Sequence, residues 1–565
     1  MAIIDGTEGD DVLTGTDEAD EINGLAGDDI IDGGFGPDVL RGGDGDDTFR
    51  FTGVSLTSPA PPEGLIDGGN GSDTIDATAV GFSGLVYMSS AGFGLVIGTQ
   101  LFDVTGVETF RFSYGNNTIF TEELSSPITI YSGEATDFIS IYAGATVFAE
   151  SGDDEVMLSG SYGGSAVTGA AHGGEGVDLL QLNINAVADL EAGTVTLGMA
   201  TFTISGFENV EAFVASGYDA SVGGDANANV IVAMSGGGPA GRATFYGRGG
   251  DDTLTGDSAA DLLDGGDGND TLNGNIGDDT LFGGAGADVL NGGDGADDMT
   301  GGAGNDYYVF DDRGDQAYEE AGGGLDVVRT RVTYSLQDNI ENVTLSGTGN
   351  IGAIGNDLDN RMVGNEGNNV LKGGLGDDRM EGREGDDNYL ASKGDRVIER
   401  SNGGIDTLRT SDSWTLHTQL ENLTLIGHSN TYGGGNAKAN VIRGNDGDNT
   451  LYGGALGDTL RGDDGEDTFI YLAASDSTVE HSDRILDLRA SETIDLSAID
   501  ADSTTAGDQA FQIVAAFTGS GGQMTIAYDA GEGTSEILMD IDGDGSADMR
   551  IIVNGDREAH TGWDL

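Results

Sequence analysis

Aspartate recurs at a fixed interval in this chain, accompanied each time by glycine and one apolar residue. From Gly6 the chain reads GTEGDDVLT, GTDEADEIN, GLAGDDIID, GGFGPDVLR and GGDGDDTFR. The nine-residue unit resumes at Gly247 and runs through GGDGNDTLN, GNIGDDTLF and GGAGADVLN to GGAGNDYYV. Its sixth position is always aspartate: Asp11, Asp20, Asp29, Asp38, Asp47, Asp252, Asp261, Asp270, Asp279, Asp288, Asp297 and Asp306. Its eighth is always apolar or aromatic, from Leu13 and Ile22 to Met299 and Tyr308. Carboxylates and glycine-turn carbonyls are hard oxygen donors, and their chemistry is that of calcium, which takes six to eight oxygens at about 2.4 Å.

Such turns need an element that stacks them. Glycine at this density is costly in a helix and suits positive-φ turns, so each unit reads as a turn followed by a short strand. If two units make one rung of a parallel coil, equivalent residues lie eighteen apart and rungs about 4.8 Å apart. Asp11 then lies over Asp29, and Asp252 over Asp270, with an ion between stacked turns reaching both. Each unit buries one side chain, worth roughly 1.5–3 kcal/mol. Ordering nine backbone residues costs on the order of 9 kcal/mol. The metal-free chain is therefore expected to be disordered, and folding and calcium binding to be one event.

The units GGDGNDTLN and GGAGADVLN resemble the calcium-binding nonapeptide of RTX proteins. The resemblance implies a parallel β-roll, and type I secretion machinery as the export partner. The expected fold class is all-β, with calcium-bound parallel β-roll (β-solenoid) segments joined to irregular β-rich domains.

The expected organisation has five parts: a first roll over 1–50, a β-rich region of unknown role over 51–245, a central roll over 246–312, two tandem modules over 313–470, and a C-terminal domain over 471–565. Within 51–245, strands such as those of FSGLVYMSSAGFGLVIGTQLFDVTGVETFRF alternate with glycine turns, and isolated units appear at Gly68 and Gly173. The tandem modules match at an offset of 80, GLDVVRTRVTYSLQDNIENVTLSG from Gly324 against GIDTLRTSDSWTLHTQLENLTLIG from Gly404. Each feeds a small roll whose sixth positions pass from Asn360 and Asn369 to Asp378 and Asp387, and from Asn440 and Asn449 to Asp458 and Asp467. Asparagine brings a carbonyl but no charge, so the entry rungs either bind calcium weakly or cap the roll, the cap being favoured.

Segments from DTFIYLAASDS to DIDGDGSADMRIIV resemble, in order, the C-terminal domain of serralysin-type secreted metalloproteases. That resemblance implies a secretion-associated region. Within it Asp540, Asp542, Asp544 and Asp548 have the spacing of the first part of an EF-hand loop, but Ile551 stands where the bidentate glutamate would. An extra calcium site and an ordinary acidic hairpin both fit that spacing.

Composition limits the partners. A formal charge of -76, from 99 Asp and Glu against 23 Lys and Arg, repels nucleic acid and anionic membrane and attracts cations. The chain has no cysteine, so disulfides and thiol chemistry are excluded. The first residues show no basic n-region before an apolar stretch, and no segment reaches the ~18 apolar residues that insert in a bilayer. Neither a Sec signal nor membrane insertion is expected. The five histidines lie far apart, without HExxH, and neither GxSxG nor a phosphate loop occurs. The reading is thus a secreted, non-enzymatic calcium-binding protein of the cell surface or matrix that self-associates. The alternative is a carbohydrate-active enzyme or an adhesin for cell-surface polysaccharide, with its site in 51–245.

Overall fold

The computed structural model describes residues 1–52, 64–79, 85–89, 92–97, 100–112, 116–121, 127–142, 144–159, 168–183, 186–198, 200–214, 218–235 and 240–565. Part of the expected strand segment beginning at Phe82 lies outside the described residues. These residues are β-structured with no α-helix among them, and they form two compact units, Met1–Val309 with Gly314–Tyr318, and Phe310–Arg313 with Glu319–Leu565.

In the first unit the eighteen-residue rung is observed directly. On one side Ile3–Asp5, Glu21–Ala26, Val39–Asp44 and Gly64–Asn70 pair in parallel, placing Ile22 against Ile4 and Leu40. On the other side Val12–Thr14, Ile30–Asp32, Thr48–Arg50 and Thr74–Asp76 do the same, placing Phe49 against Ile31 and Ile75. Alternation along a strand sends every second residue inward. The eighth-position residues Ile22, Ile31, Leu40, Phe49, Leu254, Leu263, Leu272, Leu281, Leu290, Met299 and Tyr308 are fully buried between the two faces. Leu13, at the open end, is half-buried. The core is thus two facing files of side chains, one from each sheet.

Between the two nonapeptide blocks the coil continues with rungs of varying length. Two antiparallel excursions interrupt it: Leu85–Ser89, Gly92–Ile97 and Gln100–Thr105, then Ala186–Asp189, Thr194–Leu197 and Ala200–Ser205. Parallel stacking brackets each, through Gln100–Thr105 on Gly64–Asn70 and Ala200–Ser205 on Thr168–His172.

The second unit repeats the scheme. Val327–Thr330, Asn342–Leu345, Arg361–Val363, Arg379–Glu381 and Arg396–Ile398 stack in parallel. A further parallel file runs from Tyr334–Ser335 through Asn388–Leu390, Thr407–Thr410 and Thr459–Arg461 to Asp483–Ile485 and Met549–Asn554. An antiparallel sheet of Gln523–Asp529, Thr534–Asp540 and Met549–Asn554 ends it.

Candidate functional site

The parallel register puts the sixth-position aspartates in columns. Each sits where a turn enters a strand; Oδ1 of Asp20, Asp252 and Asp261 accepts the main-chain N–H of Ala2, Asn229 and Ala243, and further along each block Oδ1 accepts the N–H of the aspartate eighteen residues earlier. The distances are 2.7 Å for Asp11 to Asp29, 2.8 Å for Asp20 to Asp38, 2.9 Å for Asp29 to Asp47, 2.7 Å for Asp252 to Asp270 and for Asp261 to Asp279, and 2.8 Å for Asp270 to Asp288, Asp279 to Asp297 and Asp288 to Asp306. Asp378, Asp387, Asp458 and Asp467 accept in the same way from Asn360, Asn369, Asn440 and Asn449. Each bond satisfies a strand-start N–H that would otherwise be buried unpaired.

The second oxygen is different. Oδ2 of Asp29, Asp47, Asp252, Asp270, Asp279, Asp288, Asp378, Asp387, Asp458 and Asp467 is buried with no hydrogen-bond partner. A buried carboxylate oxygen without a partner is costly, and burial accordingly pushes Asp252 and Asp288 up to about 7, and Asp47 and Asp279 to about 6.

Whether Oδ2 stays open is decided four residues upstream, at the second position of the repeat. In the open units this residue has positive φ: Leu25, Gly43, Arg248, Gly266, Asn275, Gly284, Gly374, Arg383, Gly454 and Asp463. Thr7, Thr16 and Asp257 lack it, and their N–H groups close on Oδ2 of Asp11, Asp20 and Asp261 at 2.5, 2.7 and 2.8 Å. The asparagine rungs are closed likewise, Asn356, Asn365, Asn436 and Asn445 donating to Oδ1 of Asn360, Asn369, Asn440 and Asn449. The amide nitrogens of Asn360 and Asn440 then donate to the main-chain oxygens of Glu341 and Glu421 at 3.2 and 2.9 Å. A side-chain N–H group thus stands at these rungs where an open rung keeps a bare carboxylate oxygen.

The residues around the open oxygens fit calcium. The first-position glycine is extended, but a Cβ at Gly265 would overlap Asp270 Oδ2 and stand 2.7 Å from the carbonyl oxygen of Gly283. The glycine preserves a cradle walled by carboxylate and carbonyl oxygens, the donor type calcium selects. Asp29, Asp47, Asp252, Asp270, Asp279 and Asp288, with the corresponding aspartates of the second unit, would hold the ions.

Comparison with known proteins agrees with this donor set. The model described as RTX calcium-binding nonapeptide repeat matches four copies, at residues 5–40, 27–51, 240–272 and 273–308, and that described as Peptidase M10 serralysin C terminal matches residues 329–563. This chain carries RTX calcium-binding repeats and a serralysin-type C-terminal region. The serralysin match begins well ahead of residue 471 and takes in most of both tandem modules. The metalloprotease AprA of Pseudomonas entomophila is 40% identical over 88 residues, covering 15% of this chain and 18% of that protein. The chain therefore spans about a fifth of the curated relative it matches, and the two matched models describe non-catalytic parts of such proteins. Together they imply a calcium-binding protein of the type I-secreted class. Among the described residues no helix is long and apolar enough to cross a membrane.

The carboxylate ladder runs on between the two nonapeptide blocks, where Asp73 and Asp178 are the sixth residues of the isolated units at Gly68 and Gly173, while Asp137 and Asp154 lie outside those units. Asp73, Asp137, Asp154 and Asp178 belong to it, accepting from Asp47, Asn117, Asp137 and Asp154 at 2.8, 2.6, 2.7 and 2.9 Å. Four glutamates end ladder segments: Glu108, Glu208, Glu341 and Glu421 accept the N–H groups of Asp73, Asp178, Asp326 and Asp406 at 2.9 to 3.0 Å. Their shared signal is the run VETF, FENV, IENV and LENL.

In the C-terminal hairpin the structure brings Asp540, Asp542 and Asp548 together and leaves Asp544 out of the group. Asp540 accepts N–H groups from Gly543 at 2.8 Å and Gly545 at 3.0 Å, and Asp548 accepts from Ile541 at 2.8 Å. Main-chain donors serve these carboxylates, and three of them also stand close enough together to share a cation.

Proposed function

We propose that this protein is an extracellular structural component, of the cell surface or matrix, whose β-solenoid folds when calcium fills its open aspartate rungs after export. The observation that carries the reading is the repeated Oδ2 atom, buried and unpartnered in Asp252, Asp270, Asp279 and Asp288. Asp252, Asp270 and Asp288 stack in one column and repel one another, and a divalent ion between rungs turns that repulsion into cohesion. Calcium is scarce in the cytosol and millimolar outside, so mass action stabilises the coil only after export.

The outer faces of the middle coil support a structural role. Tyr131 and Phe148 stack at 4.9 Å, Phe148 and His172 at 4.6 Å, and the Arg111 guanidinium lies 4.4 Å over Tyr131. Their planes are occupied by one another, which locks rungs together and leaves edges rather than faces for a sugar.

One observation favours the glycan-binding alternative. A surface cavity of about 260 Å³ is lined by Met157, Leu182, Phe213 and Met234, with Glu211 accepting from Gln181 at 2.9 Å. The discriminating experiment adds calcium to chelated protein and follows ordered self-assembly by electron microscopy alongside polysaccharide binding and cleavage. Filaments or sheets support the structural reading; saturable glycan binding without assembly supports the alternative.

A further inference from the structure

A cluster in the second unit joins one nonapeptide aspartate to two carboxylates outside the nonapeptide register. Asp387, Glu399 and Asp406 each bring one carboxylate oxygen to within 4.8 Å of the others. Three successive stretches of chain converge to do so. Asp387 ends the turn before Asn388–Leu390, and Asp406 precedes Thr407–Thr410, which pairs in parallel with that strand. Glu399 follows Arg396–Ile398, whose pairing with Arg379–Glu381 sets it beside the turn that leads to Asp387.

The hydrogen bonds leave this cluster short of positive charge. Asp387 Oδ1 accepts from the Asn369 N–H at 2.7 Å, while its Oδ2 has no partner, and the residue is 2% exposed. Asp406 accepts the Asp387 N–H at 2.9 Å and is 1% exposed. The Tyr389 hydroxyl donates to Glu399 Oε1, and the Arg400 N–H donates to Oε2 at 3.1 Å. The Arg400 guanidinium turns away to Glu381 at 2.9 Å. A Cβ at Gly382 would overlap Asp387 Oδ2 and the Tyr389 hydroxyl and lie 2.6 Å from Glu399 Oε1. Glycine at that point keeps the oxygens accessible to one another.

Two calcium–oxygen bonds placed end to end span about 5 Å, so oxygens this close can share one ion, and a set made only of oxygens selects calcium over zinc. We propose that Asp387, Glu399 and Asp406 form a separate calcium site, with Tyr389 positioning Glu399, which closes the end of this roll with two ligands supplied by no nonapeptide. The sequence repeats the glutamate and aspartate at an offset of 80, as Glu319 and Asp326. The inference shares Asp387 with the ladder and rests on the ladder reading for the identity of the metal.

The test counts calcium bound to the full chain at saturation, by elemental analysis after desalting, for wild type and Glu399→Gln. The expected result is one ion fewer in the variant with its β-sheet circular dichroism retained. An equal count overturns this site while leaving the ladder reading intact, whereas a wild type that binds no calcium overturns the ladder reading and this site with it. Tyr389→Phe gives an independent measurement that leaves all three carboxylates in place. With terbium replacing calcium, tyrosine-excited terbium emission at saturation should fall below wild type, and unchanged emission contradicts the site.

Discussion

The main-chain N–H of Asp252 donates to Oδ1 of Asp270, eighteen residues later, at 2.7 Å, while Oδ2 of the same carboxylate is buried and unpartnered. One side chain thus has two separable tasks, one oxygen holding the rung above and the other awaiting a cation. Asp270→Asn should keep the first and lose the second. The expected outcome is a chain that still folds at high calcium with one site weakened, while Asp270→Ala also loses the bond to Asp252 and about 1–3 kcal/mol more stability. Thermal unfolding at saturating calcium ranks the two; equal losses would mean that the Oδ1 bond contributes nothing.

Leu272 is fully buried between Leu254 and Leu290. Leu272→Ala should cost about 2–5 kcal/mol at saturating calcium, and Leu272→Asp should abolish local folding because it adds a charge to a narrow apolar core. Urea unfolding in excess calcium checks both, and a mild effect of Leu272→Asp would contradict the observed register.

Gly266 has a φ of 103°, and this turns its N–H away from Asp270. Gly266→Thr should either strain the turn by about 1–3 kcal/mol or switch it to the closed form seen at Thr16 and Asp20, with loss of an ion in both cases. Calorimetric calcium titration reads the stoichiometry. Full occupancy in this variant would show that the second position does not gate the rung.

Acidity should replace calcium in part. Burial raises Asp252 and Asp288 to about 7, and Asp47 and Asp279 to about 6, from an ordinary 3.8. A carboxyl whose folded value is raised favours the fold in its protonated form. That contribution is fully present below about pH 4 and is lost as pH rises through about 6 to 7. In chelator, circular dichroism should therefore show β-structure increasing from pH 8 to pH 4, and calcium affinity should fall over the same range as protons compete. A chelated chain equally disordered throughout would contradict the assignment.

Much of this was legible in the sequence because one rung of the coil equals two nonapeptides. Asp252 and Asp270, or Leu254 and Leu272, announce their stacking by spacing alone. Asp137, Asp154 and Asp178 do the same work, but they are 17 and 24 residues apart, since the chain between rungs there has changed length and periodicity no longer marks them. Glu421 was visible in LENL, the counterpart of IENV eighty residues earlier, yet its task depends on reaching the N–H of Asp406, fifteen residues earlier, and only the folded coil shows that. The split between open and closed rungs rests on backbone φ. Leu25, Arg248 and Asn275 adopt positive φ without being glycine, so residue type gave no sign of it.

The most direct test of the account is a calcium titration of the full, chelated chain at pH 7.5, followed by far-ultraviolet circular dichroism and ion count on one sample. The account predicts a disordered spectrum at the start, a cooperative rise of β signal in step with the ions bound, and little effect of magnesium, which keeps its water and demands a tighter octahedron. A chelated chain that already shows the full β spectrum, with calcium binding afterwards to a preformed coil, would contradict it.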